Sequence, residues 1–156
     1  MTIHPHSNVA RHQHGLATVE MAIGLPVLLL LLFATAEFGR MLAQYDTLTK
    51  AVRDGASYAA SVSSLGTTGL VYVTPAIQTA VANLIVSGNV NGTGTPLLPG
   101  LTAADVTVSA VDTVYVEVSV SYPYEPMLGV TLPTFGLGQP IPIDPTLTAT
   151  SVMRAL

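Results

Sequence analysis

Gly15-Leu16-Ala17-Thr18-Val19-Glu20 opens the run GLATVEMAIGLPVLLLLLFATA (residues 15–36), in which Glu20 is the only charged residue. As a helix at about 1.5 Å per residue, residues 16–36 measure roughly 31 Å, enough to cross a hydrocarbon core of about 30 Å. The run therefore predicts a membrane-inserted chain. A carboxylate within it costs roughly 2.5 to 3.5 kcal/mol on insertion scales, so Glu20 needs compensation. One solution lies close to the headgroups, where the side chain snorkels or is protonated. The other uses the glycine. Cleavage after Gly15 would leave a new α-amino group on Leu16, a cation at the end of an apolar helix and a partner for the Glu20 carboxylate of a neighbouring subunit. Such a pair neutralises the acid and fixes the axial stagger of packed helices.

A short polar leader ending in Gly15, followed by an apolar helix with Glu20 as its fifth residue, resembles the class III signal of type IV prepilins. Within that superfamily, Gly15, Ala17, Val19, Glu20 and Pro26, then Glu37, Gly39 and Arg40, resemble the TadE-like minor pseudopilins of the tight-adherence (Flp) pilus system. Arg53-Asp54-Gly55-Ala56 is similar to a further segment of that family, and residues 147–154 are similar to its closing strand. The resemblance is strong over residues 15–60, weak in the tail and absent between. Its force lies in the order and spacing of motifs that are each common. It implies a structural role in pilus assembly and a processing site at Gly15 and Leu16 read by a prepilin peptidase. It also implies Glu20 as the assembly residue. The implied partners are other pilins or pseudopilins, the assembly platform and inner-membrane lipid.

Composition excludes several other classes. Only 9% of the 156 residues are charged and 49% are hydrophobic, against roughly 25% charged in an ordinary soluble domain. Residues 63–156 are rich in Thr, Ser, Val, Gly and Pro, as in β-rich extracytoplasmic domains. A nucleic-acid partner would need clustered Lys and Arg, which a chain of net charge −4 with five basic residues does not supply. There is no cysteine, hence no disulfide or thiol chemistry. After cleavage at Gly15 the chain would keep no His, and general acid-base, thiol and imidazole-metal catalysis lose their usual residues. Asp105, Asp112 and Glu117 are the candidate acids for a shared site, and a solvated strand surface is their ordinary reading. The expectation is no enzyme, no cofactor and no metal.

Residues 1–15 read as a leader, with Arg11 and with His4, His6, His12 and His14 in two His-x-His pairs. A His-rich tract there is read as incidental, not as a metal site. Residues 16–36 are the transmembrane helix, with Gly24 and Pro26 expected to kink it. Residues 37–62 continue it amphipathically. Phe38, Met41, Leu42, Tyr45, Leu48, Val52, Ala56 and Ala59 recur at three- and four-residue steps, a stripe expected to pack on the protein's own domain. Residues 63–156 form an extracytoplasmic α+β domain.

In that domain a loop with Ser63, Ser64, Gly66 and Gly69 leads to a helix over residues 75–87, with apolar Ile77, Val81, Leu84 and Ile85. Residues 88–100 are a Gly, Asn and Pro-rich loop. Val106, Val108 and Ala110, then Val114, Val116, Val118 and Val120, alternate with polar residues as strands joined at Asp112-Thr113. Residues 147–153 give a third strand. The connection over residues 122–145 has too many prolines for a central strand, and its Met127, Leu128, Leu132, Phe135 and Leu137 are expected to pack over the sheet edge. The predicted fold is α+β: a long N-terminal transmembrane and amphipathic helix on a small antiparallel sheet of about three strands, pilin-like.

Two rival readings differ in the first residue of the mature chain. Ala34-Thr35-Ala36 follows an apolar core, so a conventional signal peptidase could cut before Glu37 and release a secreted binding domain unrelated to pili. Without cleavage the chain would be a signal-anchored extracytoplasmic domain. Charge counting places Arg11 before the helix against Arg40, Lys50 and Arg53 after it, which favours the C-terminal domain inside. The family resemblance implies the reverse, a single-pass protein of the bacterial inner membrane with that domain outside. Long domains translocate largely regardless of charge, and the outside orientation is preferred here.

Overall fold

The computed structural model describes residues 13–64, 70–127, 129, 131–132, 139, 141–142 and 145–155. His4, His6, Arg11 and His12, with Gly66, Gly69, Leu128, Phe135 and Leu137, lie outside the described residues. The chain divides into two compact units, Met1–Phe38 and Gly39–Leu156.

Helix α1 spans Gln13–Val62, fifty residues that include Pro26. Leu, Ala and Met, among the best helix formers, dominate its composition. The helix begins two residues before Gly15 and runs through Gly24, Pro26 and the Ala34-Thr35-Ala36 triplet without interruption. Hydroxyls inside it are satisfied locally: Thr35 Oγ1 donates to the Leu31 carbonyl at 2.8 Å, and Thr47 and Thr49 do the same to Ala43 and Tyr45.

In the second unit, the row Leu48, Ala51, Val52, Ala56 and Ala59 is buried at helical spacing. The expected stripe splits there. Met41 is half-buried against the core, whereas Leu42 and Tyr45 are 60% and 44% exposed. A row at seven-residue spacing drifts around a 3.6-residue helix, so its early members leave the face that its later members bury.

Helix α2 spans Pro75–Ser87, as the sequence predicts. Thr74 is its N-cap, its hydroxyl accepting the Ile77 N–H at 3.2 Å, with Pro75 in the first turn. Gly88 closes it at φ 75°, donating to the Leu84 carbonyl. The face it buries is Val81, Ala82 and Ile85; Ala82 takes the core position expected of Leu84, which is only half-buried.

A 3₁₀ turn, Ala103–Asp105, enters the sheet. Strands β1 (Val106–Val111), β2 (Tyr115–Pro123) and β5 (Thr146–Arg154) form an antiparallel sheet in the order β1-β2-β5. Val116, Val118 and Val120 are fully buried on its inner face. Opposite them, Thr107, Ser109, Ser119, Ser121, Thr148 and Thr150 share the outer face, where Ser119 Oγ and Thr150 Oγ1 are 2.9 Å apart. The β1–β2 connection is one residue longer than predicted. Val111 pairs with Tyr115, leaving Asp112, Thr113 and Val114 in the turn. Asp112 takes φ 63°, a left-handed conformation aspartate tolerates, and its Oδ1 accepts the Thr113 N–H at 2.8 Å.

The Pro-rich connection departs from expectation. It contains two short strands, β3 (Thr131–Leu132) and β4 (Ile141–Pro142), paired as a separate antiparallel sheet. Met127, expected to pack on the sheet edge, is 76% exposed. The Gly/Pro-rich loop instead supplies the core: Leu98 and Leu101 are buried among α1, α2 and the sheet.

Candidate functional site

Every residue from Gly15 to Ala36 is exposed, and an eighteen-residue window of this segment has a mean hydropathy of 2.3. Leu16, Met21, Ile23 and Leu28 each show about two-thirds or more of their surface, at 73%, 67%, 70% and 69%. A helix satisfies its own backbone polar groups, so this apolar surface suits hydrocarbon and not water. By length and composition α1 is long and apolar enough to cross a membrane.

Glu20 is the one charge on that surface, exposed like its neighbours. Leu16 stands four residues before it and Gly24 four after, so the three share a face one turn apart. An added Cβ on Gly24 would meet nothing within 4 Å, which leaves an open notch beside the carboxylate. Gly15 lies five residues, roughly 7.5 Å of rise, from Glu20. A Cβ there would also meet nothing within 4 Å, nor would one on Gly39. Neither the packing nor the backbone of the described chain requires glycine at position 15.

Gly55, in the later motif, is different. Its Cβ would stand 2.7 Å from both Cγ1 and Cδ1 of Ile85 and 3.4 Å from Val81 Cγ1. Gly55 and Ala56 are buried, with Arg53 and Asp54 exposed on the opposite side. These small residues let α2 approach α1, which is a packing role.

Arg40 lies in the second unit, its guanidinium 5.5 Å from the ring centre of buried Tyr124. Beside it the Tyr122 hydroxyl donates to the Pro99 carbonyl at 2.7 Å, with Gln44 Oε1 at 3.3 Å. Burial pushes the Tyr122 hydroxyl above its ordinary value of 10.0; the charge of Arg40 opposes this and that of Glu125 adds to it. This cluster ties α1 to the end of β2 and to the loop before the sheet. Sequence reading missed its tyrosines because Pro123 breaks the alternation that otherwise points to Tyr122.

The three acids of the outer domain do not converge. Asp105 Oδ2 accepts both the N–H and the hydroxyl of Thr102 at 2.8 Å. Asp112 closes the turn at the other end of β1, roughly 23 Å of extended chain away. Glu117 sits mid-sheet opposite Ser109 and Val152. Among the described residues no three His, Cys, Asp or Glu side chains come together as a metal site would require. A groove between α2 and β1 is lined by Gln78, Thr79, Asn83 and Thr107, and its lining carries no titratable side chain.

The family model described as TadE-like protein matches residues 15–57, from the glycine at the head of the apolar run to one residue past the Gly55-Ala56 contact. Over that segment the chain is similar to the TadE-like family, which is associated with the tight-adherence (Tad/Flp) pilus system. Comparisons with curated proteins and with solved structures gave no match.

Proposed function

We propose that this chain is a minor pseudopilin of a tight-adherence pilus, anchored in the bacterial inner membrane by residues 16–36 with its α+β domain outside. A prepilin peptidase cleaves after Gly15, and the α-amino group of Leu16 pairs with Glu20 of a neighbouring pilin-like subunit. The protein acts in assembly, through helix contacts and not catalysis. One observation carries this reading: an apolar helix exposed along its whole membrane-length segment, with a single acid set five residues after a glycine that the fold itself does not need.

The geometry supports each part differently. An open environment at Gly15 fits a residue selected by a cleavage pocket. The exposed Glu20, with the Gly24 notch alongside, fits a charge whose partner comes from another chain. The match over residues 15–57 supports a place in the pilus system, and the outside orientation is the one that the family resemblance implies. Continuous helix through Ala34-Thr35-Ala36 weighs against conventional signal-peptide cleavage there, which requires an extended segment.

The test is the N-terminus and intact mass of membrane-extracted protein, made with and without a prepilin peptidase. Leu16 as first residue, only when the enzyme is present, is the expected result. A start at Glu37, or an intact Met1 in both preparations, overturns the reading.

A further inference from the structure

The loop after α2 is built on one side chain. Asn89 Oδ1 accepts the backbone N–H groups of Asn91 and Thr93, each at 3.1 Å, and the Thr93 hydroxyl at 3.3 Å. Its Nδ2 donates to the carbonyls of Ser87 and Thr93. The Gly92 N–H closes the turn on the Asn89 carbonyl at 3.3 Å. Such Asx-type bonding holds a turn without any regular secondary structure.

Glycine at position 92 is demanded twice over. Its φ is +69°, and an added Cβ would fall 2.8 Å from Cγ and Oδ1 of Asn83. Asn83 is itself fixed, donating through Nδ2 to the Val90 carbonyl at 3.1 Å. The fold thus forces a residue without a side chain directly after Asn91. The Asn91 side chain is exposed and, among the described residues, takes part in no hydrogen bond.

We infer that Asn91 is a site of spontaneous deamidation whose rate is set by the Asn89 hydrogen bonds. The Gly92 backbone nitrogen, having given its proton to hydroxide, attacks Cγ of Asn91. The new C–N bond closes a five-membered imide as the Cγ–Nδ2 bond breaks, and Nδ2 leaves as ammonia with a proton from water. Water then opens the ring at either carbonyl, giving aspartate or isoaspartate. The net change is amide plus water to carboxylate plus ammonium, with no oxidant or enzyme. No side chain at position 92 shields Cγ from attack, whereas Asn83 is followed by Leu84 and Asn89 by branched Val90. Labile asparagines are a recognised thermal liability, and Asn-Gly in a turn is the unshielded case.

Asn89 is the brake. While the Gly92 N–H is held by the Asn89 carbonyl and the Asn91 N–H by the Asn89 side chain, the Gly92 nitrogen cannot readily give up its proton or reorient, so attack waits on opening of the turn. The product does not close again in the same way. Isoaspartate inserts an extra backbone carbon between two N–H groups that converge on one oxygen, and the chain gains a negative charge.

The experiment follows full-length protein in detergent, in mildly alkaline buffer at physiological temperature, with chymotryptic mapping by a fragmentation method that separates aspartate from isoaspartate. Conversion is expected at Asn91 ahead of Asn83 and Asn89, with both products present, and Asn91→Gln should abolish it. Asn89→Ala should raise the rate several-fold, whereas Asn89→Asp, which keeps the acceptor oxygen, should not. Urea should accelerate the wild-type chain in the same way, a readout independent of whether a variant folds. First conversion at Asn83 or Asn89, no conversion, or a rate indifferent to both Asn89→Ala and urea would overturn the inference.

Discussion

A β-carbon added to Gly55 would lie 2.7 Å from two carbons of Ile85, a residue with no exposed surface, so the α1–α2 contact is set by a missing side chain. Ile85 cannot swing away, because Val81, Val52 and the sheet valines enclose the same core. Close-packed interiors resist even one added methyl group.

Gly55→Ala should therefore destabilise the outer domain by about 1 to 3 kcal/mol, the usual cost of overpacking. The shift in denaturant midpoint measures it. Gly55→Ala combined with Ile85→Ala should lose less than the sum of the two single losses, through coupling between neighbours. If the two losses simply add, the contact is not the cause.

Alkaline pH should weaken the fold through Tyr122. Burial raises its folded value above 10.0, so between the unfolded and folded values the unfolded chain has lost a proton that the folded chain still holds. Stability is intact below the ordinary tyrosine range and falls as pH rises through the folded value. Tyr122→Phe should flatten that decline in a pH series of thermal unfolding, at the cost of the hydrogen bond to Pro99, about 1 kcal/mol at neutral pH.

Gly15→Trp should block processing while leaving the domain unchanged, because an added Cβ meets nothing within 4 Å beyond its own stretch of helix. Intact mass reads the first and thermal unfolding the second. A processed Gly15→Trp chain would mean that the glycine is not what the peptidase reads.

Glu20→Ala should remain inserted and processed yet fail to support pilus assembly. Removing the acid eases insertion by roughly 2.5 to 3.5 kcal/mol, so any loss of piliation cannot be blamed on a weaker anchor. Normal piliation in this variant would remove Glu20 from the assembly mechanism.

The elements with strong local signals were legible in advance. Thr74, Pro75 and Gly88 mark the ends of α2, and alternating valines mark β2, because caps and a period of two act within a few residues. Gly15 and Glu20 stand out in the sequence as a local anomaly, a charge in an apolar run after a glycine, and their roles rest on the proposal above. What escaped were properties of the assembled domain. Leu98 and Leu101 sit in a loop whose Gly, Pro and Asn content reads as solvent-facing, yet they fill the space between α2 and the sheet. The stripe from Phe38 to Ala59 looks uniform in sequence, and only the position of the sheet decides that Leu48 is buried and Leu42 is not. Asp112 in a left-handed turn lengthened the hairpin by one residue, a choice made by the Thr113 N–H and not by hydrophobic pattern. The packing role of Gly55 likewise needed Ile85 to be in place.

The outer face of the sheet, with its rows of threonine and serine, has a consequence for how the domain meets changing ionic strength. Hydroxyl pairs such as Ser119 with Thr150 carry no net charge, so dissolved salt has little to screen along these strands. Among the described residues, Glu117 and Arg154 are the ionised side chains on that face, on different strands and out of register. A surface of this kind responds less to the screening of charge by dissolved salt than a charged sheet would.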